Sequence, residues 1–175
     1  MRLFLALDVN KQTRASLYSL QQTMQKLGIE GAYVPVGNFH VTLRFLGETD
    51  RIGEIGLALV QLVRGIRPFT LRLAEYELFG GRTAVVRADG DGGELKSLYE
   101  SAQAALFDAG FPLEKRPPTP HITLARRITP HKEYVDAINA ALIPAEFPVN
   151  HVTLYESVCG RSGAMEYHPL QKSAF

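Results

Sequence analysis

Three of the five histidines open almost the same four-residue phrase. His40-Val41-Thr42-Leu43 and His151-Val152-Thr153-Leu154 are identical, and His121-Ile122-Thr123-Leu124 differs from them by one methylene. In an extended strand, residues two apart share a face and stand about 6–7 Å apart. His40 would then lie beside Thr42, and His121 beside Thr123, while the aliphatic residues between them turn to the opposite side. Each phrase buries an apolar pair and presents an imidazole with a hydroxyl. An unperturbed imidazole titrates near about 6.5, so one ring can accept a proton while another donates one. Two such strands facing one cleft suit a phosphate diester. One imidazole takes the proton of an attacking nucleophile, the other protonates the leaving oxygen, and the threonine hydroxyls donate to non-bridging oxygens as charge builds there. That chemistry needs no metal.

Any one such phrase can also be a half-buried strand whose histidine and threonine pair with polar neighbours. Spacing separates the copies. His121 follows His40 by 81 residues, close to half of the 175-residue chain, as expected for two similar lobes around one cleft. The copy at 151 continues Tyr155-Glu156, where the other two continue Arg44-Phe45 and Ala125-Arg126. A carboxylate there would repel a phosphate, so His151 reads as structural or groove-lining. His131 and His168 read as exposed polar residues. Three histidines also raise a zinc reading, but there is no short His-x-His spacing, and Cys159 lies eight residues past His151. No metal or other cofactor is expected.

Short strands mixed with amphipathic helices must carry these side chains. Arg2–Val9 reads as a buried strand, Asn10 as the cap of a helix over Lys11–Leu27, and Gly28 as its stop. Gly31–Gly37 reads as loop and His40–Leu46 as strand. Thr49 or Asp50 can cap a helix running to about Val63. Phe69–Leu78 and Thr83–Ala88 form a hairpin through Phe79–Arg82. Asp89–Gly93 is loop, Glu94–Ala109 a helix stopped by Gly110, and Arg116–Pro120 a stiff extended run entering the strand His121–Arg127. A helix over about Lys132–Leu142 and strands at Phe147–Ser157 and Glu166–Gln171 follow. Strands that come singly and in pairs favour α+β with mainly antiparallel sheet over a doubly wound parallel sheet. No linker divides the chain, so residues 1–175 read as a single two-lobed domain.

Composition agrees. Hydrophobic residues are 46% and charged residues 21%, and the formal net charge is +1, too weak a bias to coat long nucleic acid. One cysteine forms no internal disulfide, and the apolar run Leu3–Leu7 is too short for a signal or membrane segment. A cytoplasmic, monomeric protein with no membrane attachment is expected.

The residues also resemble a known family. HVTLRFLG at 40–47 and HITLAR at 121–126 are similar to the paired signatures of the two-histidine phosphoesterases, specifically the RNA 2′,3′-cyclic phosphodiesterase or 2′-5′ RNA ligase-like branch. RLFLALDV at the start, YVPVGNFHVTLRFLGE, and LYES followed by Tyr-x-Pro-Leu keep the family's order, so the likeness covers nearly the whole chain. It implies a bilobal α+β fold, with two pseudo-symmetric lobes of mainly antiparallel sheet and flanking helices around a central groove. It implies metal-independent opening by water of a 2′,3′-cyclic phosphate, on RNA ends or nucleotides, to a 2′-phosphate. His40 would protonate the departing O3′, His121 would activate the water, and Thr42 and Thr123 would hold phosphoryl oxygens. Phe45 would stack on the terminal base and Arg126 would bind the phosphate. Related readings are an enzyme acting on 2′-5′-linked oligonucleotides, as phosphodiesterase or reversible ligase, and a non-catalytic RNA-end or nucleotide-binding module.

Strand parity sets a condition on those last two roles. Phe45 and Arg126 each stand five residues after their histidine, so a regular strand would turn both away from the cleft. Either both strands twist or bulge near their ends, or the side chains reach around. Arg44 and Arg127 are the residues that an unbroken alternation would offer instead.

Overall fold

The computed structural model describes residues 1–175 apart from Asp91, Arg116, Pro117 and Ser162. β1 (Arg2–Asp8) leads through α1 (Lys11–Lys26) and the two-residue β2 (Ala32–Tyr33) to β3 (His40–Glu48). Then come α2 (Ile52–Leu62), β4 (Phe69–Phe79), β5 (Thr83–Asp89), α3 (Glu94–Asp108) and β6 (His121–Arg126). α4 (Val135–Ala141), β7 (Glu146–Val149), β8 (His151–Cys159) and β9 (Met165–Ala174) complete the order. The strands form two antiparallel sheets, one ordered β3-β1-β8-β9 and the other β2-β6-β5-β4-β7. This is the expected two-lobed α+β architecture.

The pseudo-symmetry follows from how the chain crosses between lobes. β1 and β3 pair in the first sheet, yet α1 between them packs against α4 and β7 of the second. β5 and β6 pair in the second sheet, yet α3 between them packs against α2, which lies on β8 and β9 of the first. Each half therefore repeats one order of strand, crossed helix and strand, and ends on a strand carrying a His-x-Thr phrase. Buried side chains of both lobes form one continuous core, in which Leu3, Leu5 and Leu7 of β1 join Leu17, Leu20 and Met24 of α1.

Local chemistry places α1 well. The Asn10 side chain accepts the Thr13 N–H at 2.8 Å, and Gly28, at φ 76°, takes the left-handed turn that ends the helix. α2 departs from expectation. Arg51 occupies its cap position but its side chain makes no capping hydrogen bond, and Thr49 instead accepts the Arg51 N–H at 3.2 Å. The helix expected at Lys132–Leu142 opens as a 3₁₀ turn over Lys132–Tyr134. β2 forms inside the expected loop 31–37.

The largest correction concerns Phe147–Ser157, read as one strand. It is two strands in different sheets: β7 pairs with β4, β8 pairs with β1 and β9, and the chain changes sheet at Asn150. The buried positions change phase with the sheet, from Phe147 and Val149 in β7 to Val152 and Leu154 in β8. Of the expected extended run 116–120, Arg116 and Pro117 lie outside the described residues, as does Asp91 of the loop 89–93. Among the described residues, no helix is long and apolar enough to cross a membrane.

Candidate active site

β3 and β6 face each other across the lobes, with Cα atoms within 8 Å. Their two phrases have matching local structure. The Nδ1–H of His40 donates to the Asn38 carbonyl at 2.7 Å, and that of His121 donates to the Thr119 carbonyl at 2.7 Å. Both partners stand two residues before the histidine, in the non-strand segment that enters the strand. This bond fixes each tautomer and leaves Nε2 for chemistry. His40 Nε2 accepts the Thr42 hydroxyl at 3.0 Å. Each ring packs on a phenylalanine, His40 on Phe4 at 5.0 Å and His121 on Phe79 at 4.8 Å between centroids.

A β-bulge resolves the parity problem in both strands. Ala6 pairs with Thr42 and Leu5 with Arg44, so Leu43 is an extra residue; Val85 pairs with Thr123 and Ala84 with Ala125, so Leu124 is extra. Leu43 and Arg44 are consequently both buried, as are Leu124 and Ala125, and alternation resumes in the opposite phase. Phe45 and Arg126 return to the groove face. Phe45 is 61% exposed and lies opposite Phe4. Gln21 of α1 holds the second bulge: its side-chain amide donates to the Leu124 carbonyl at 2.9 Å and to the Val34 carbonyl at 2.8 Å.

Arg44 and Arg127, which an unbroken alternation would present to the cleft, are held differently: Arg44 borders the cavity beside His121 but is tied to groups behind it. Arg44 is 5% exposed, donates to Gln103 of α3 at 2.7 Å and to the Pro112 carbonyl, and pairs with Glu114 at 3.3 Å. It ties β3 to α3. Arg127 has φ 52° just beyond β6.

The groove contains two adjoining cavities that share Phe45. One, of about 390 Å³, is lined by His40, Phe4, Phe45, Arg126 and Tyr167 among others. The other, of about 230 Å³, is lined by Thr42, Phe45, Phe79 and His121 among others. Burial pushes His40 down to about 4; the Arg126 and His121 charges act in the same direction, while the Asn38 carbonyl and the Asp8 charge oppose them. In the free site His40 is a neutral imidazole at pH 7. Among the described residues, no group of three or more His, Cys, Asp or Glu could hold a metal ion.

Residues 19–160 match the family model of the 2′-5′ RNA ligase superfamily. The chain belongs to that superfamily. It is 31% identical to the RNA 2′,3′-cyclic phosphodiesterase of Thermotoga maritima, over 93% of this chain and 90% of that protein. Among solved structures it is similar to Escherichia coli LigT in the apo form, at TM-score 0.80 and 26% identity over 99% of this chain and 96% of that one. The complex of LigT with 3′-AMP matches at TM-score 0.78 and 27% identity, over 99% and 97%.

In this member of the 2′-5′ RNA ligase superfamily, the third phrase is built into a different network. His151 Nδ1 meets the Asn150 side chain at 2.6 Å, and its Nε2 meets the Asp8 carboxylate at 2.8 Å. Asp8 also accepts the Tyr155 hydroxyl at 2.6 Å, Lys172 at 2.9 Å and the Thr153 hydroxyl at 3.1 Å. Burial alone would raise the Asp8 carboxyl, but the bonds from Tyr155, His151 and Lys172 outweigh it and hold the group well below the ordinary carboxylate range. His151 therefore serves an anionic anchor on the groove floor. His131, expected to be exposed, is 1% exposed; its Nδ1–H donates to the Thr129 carbonyl at 2.8 Å, and its Nε2 accepts the Tyr76 hydroxyl. His168 is exposed as expected and stands 3.5 Å from Glu166.

Sequence reasoning missed Asp8, Phe4 and Tyr167. The signal for the first two was present in β1. Leu3, Leu5 and Leu7 are the core residues, so Arg2, Phe4, Ala6 and Asp8 share the other face. The uniformly apolar appearance of Leu3–Leu7 concealed that alternation. Tyr167 packs edge-on against His40 at 5.2 Å from a strand distant in sequence.

Proposed function

We propose that this chain is an RNA 2′,3′-cyclic phosphodiesterase: it opens a terminal 2′,3′-cyclic phosphate with water, without metal, leaving a 2′-phosphate. The observation that carries the reading is the matched pair of imidazoles facing one groove, each held through Nδ1 by a carbonyl two residues upstream. Further support comes from the Thermotoga maritima phosphodiesterase, alike over nearly its whole length, and from LigT, whose fold holds 3′-AMP.

In this mechanism the water oxygen attacks phosphorus and the bond to O3′ breaks. His121 Nε2 takes the water proton, and His40 Nε2 delivers a proton to O3′. Thr42 and Thr123 donate to the non-bridging oxygens, where charge accumulates. Arg126 pairs with the phosphate, and Phe45 stacks on the terminal base in a way that tolerates every base. Both imidazoles come from one chain, so a monomeric, single two-lobed domain suffices. The lone cysteine supports a cytoplasmic setting.

Turnover of nucleoside 2′,3′-cyclic phosphates in EDTA tests the reading. His40→Ala and His121→Ala should each lose roughly 10²–10⁴ in rate, as removal of a general acid or base does. His151→Ala should retain turnover within a few-fold. Full activity in the His40→Ala/His121→Ala double variant overturns the mechanism. Release of mononucleotides from a 2′-5′-linked chain, with no opening of the cyclic phosphate, would instead identify a 2′-5′ phosphodiesterase. Binding without any turnover would identify an RNA-end module.

A further inference from the structure

The groove continues past the place where one nucleoside would end. Along the floor of the first sheet, Asp8 pairs with His40, Phe4 with Phe45, and Arg2 with Glu48 on one side and Ser157 on the other. The alternation of β1 puts Arg2 on the same face as Phe4, about 7 Å further along the strand, since two residues rise by that amount. The cavity of about 390 Å³ that begins at His40 and passes Phe4 and Phe45 is lined at its other end by Arg2 and Ser157. Arg2 is exposed and has no ion pair or side-chain hydrogen bond among the described residues, not even with Glu48, its register neighbour. A guanidinium without a carboxylate, at the end of an aromatic-floored groove, has the donor geometry for a phosphodiester.

We propose that Arg2 is a second phosphate site, which binds the phosphodiester immediately 5′ of the terminal nucleoside. The inference rests on the phosphodiesterase reading above, because that reading sets the polarity of the strand. With the cyclic phosphate between His40 and His121 and the terminal base on Phe45, the 5′ oxygen of that nucleoside leads away from the histidines and toward Arg2. A free cyclic mononucleotide has nothing to offer Arg2. An oligonucleotide end does, so Arg2 selects RNA termini over mononucleotides. Selection would act through binding, because the contact lies a full nucleoside from the reacting phosphorus.

The test compares adenosine 2′,3′-cyclic phosphate with a trinucleotide carrying the same terminal adenosine cyclic phosphate, in wild type, Arg2→Gln and Arg2→Lys. Wild type should prefer the trinucleotide in kcat/KM by about tenfold. In Arg2→Gln that preference should collapse, mainly through KM. The slope of log(kcat/KM) against log[salt] for the trinucleotide should become shallower by roughly 0.7, the contribution of one phosphate contact on a single strand. Arg2→Lys, which keeps the charge, should keep that slope and recover part of the preference. An Arg2→Gln enzyme with undiminished preference and slope overturns the assignment, as does a wild type with no preference. A wild type that opens neither substrate overturns the phosphodiesterase reading itself, and with it this inference, so the two failures are distinguishable.

Discussion

His40 poses a quantitative problem whose solution can be measured. A pKa of about 4 leaves roughly one free molecule in a thousand with a proton on this ring at pH 7, yet the proposed role is to donate one. The substrate can supply the correction. One negative charge about 4 Å from the ring, at an effective dielectric of about 20, favours the imidazolium by about 4 kcal/mol. That corresponds to a rise of about three in pKa. The depression by Arg126 is already part of the free value, so the bound-state value should lie at about 7. His40 would thus be neutral in the empty groove and become the proton donor when a phosphate occupies it.

The assay is an NMR titration of the His40 ring, first in the free protein and then with the groove saturated with inorganic phosphate. The free ring should titrate near 4 and the phosphate-bound ring about three pH units higher. Arg126→Gln removes a cation that depresses His40 and should raise the free value, while Asp8→Asn removes an anion that supports it and should lower it. A free His40 that titrates near 6.5, or a ring whose titration phosphate leaves unmoved, refutes the reasoning.

Asp8→Asn should also destabilise the protein, by about 3 kcal/mol for breaking a largely buried charged cluster, or about 6–12 °C in Tm for a chain of this length. Because the folded carboxyl is held low, its contribution is present above the ordinary carboxylate range and is lost as pH falls below it, so wild type and variant should converge in acid melts. Phe45→Ala should raise KM roughly 5- to 150-fold, the equivalent of about 1–3 kcal/mol for one base stack, with Tm unchanged because the ring is 61% exposed. Arg44 and Arg126 should separate cleanly. Arg44→Gln should lower Tm through the lost Glu114 and Pro112 contacts, whereas Arg126→Gln should lower kcat/KM and leave Tm in place.

Local periodicity made the site legible and non-local pairing hid the rest. His40, Thr42, His121 and Thr123 could be placed on one face because strand alternation is a property of consecutive residues. Phe45 and Arg126 could not, because a bulge is decided by the partner strand: nothing in Thr42-Leu43-Arg44 announces that Leu5 will pair with Arg44 and skip Leu43. The split of Phe147–Ser157 between two sheets was hidden for the same reason. The third His-x-Thr phrase gives the sharpest case, since its four letters are those of the first. What separates them is how the chain enters the strand. Before His40 and His121 it arrives from outside the strand, where the carbonyls of Asn38 and Thr119 can take the imidazole Nδ1–H. Before His151 it arrives directly from β7, where Val149, two residues upstream, is paired with Phe69 in the other sheet. His151 takes Asn150 and Asp8 instead, and its Nε2 is spent on a carboxylate. An identical phrase thus acquires a different role through the two residues in front of it.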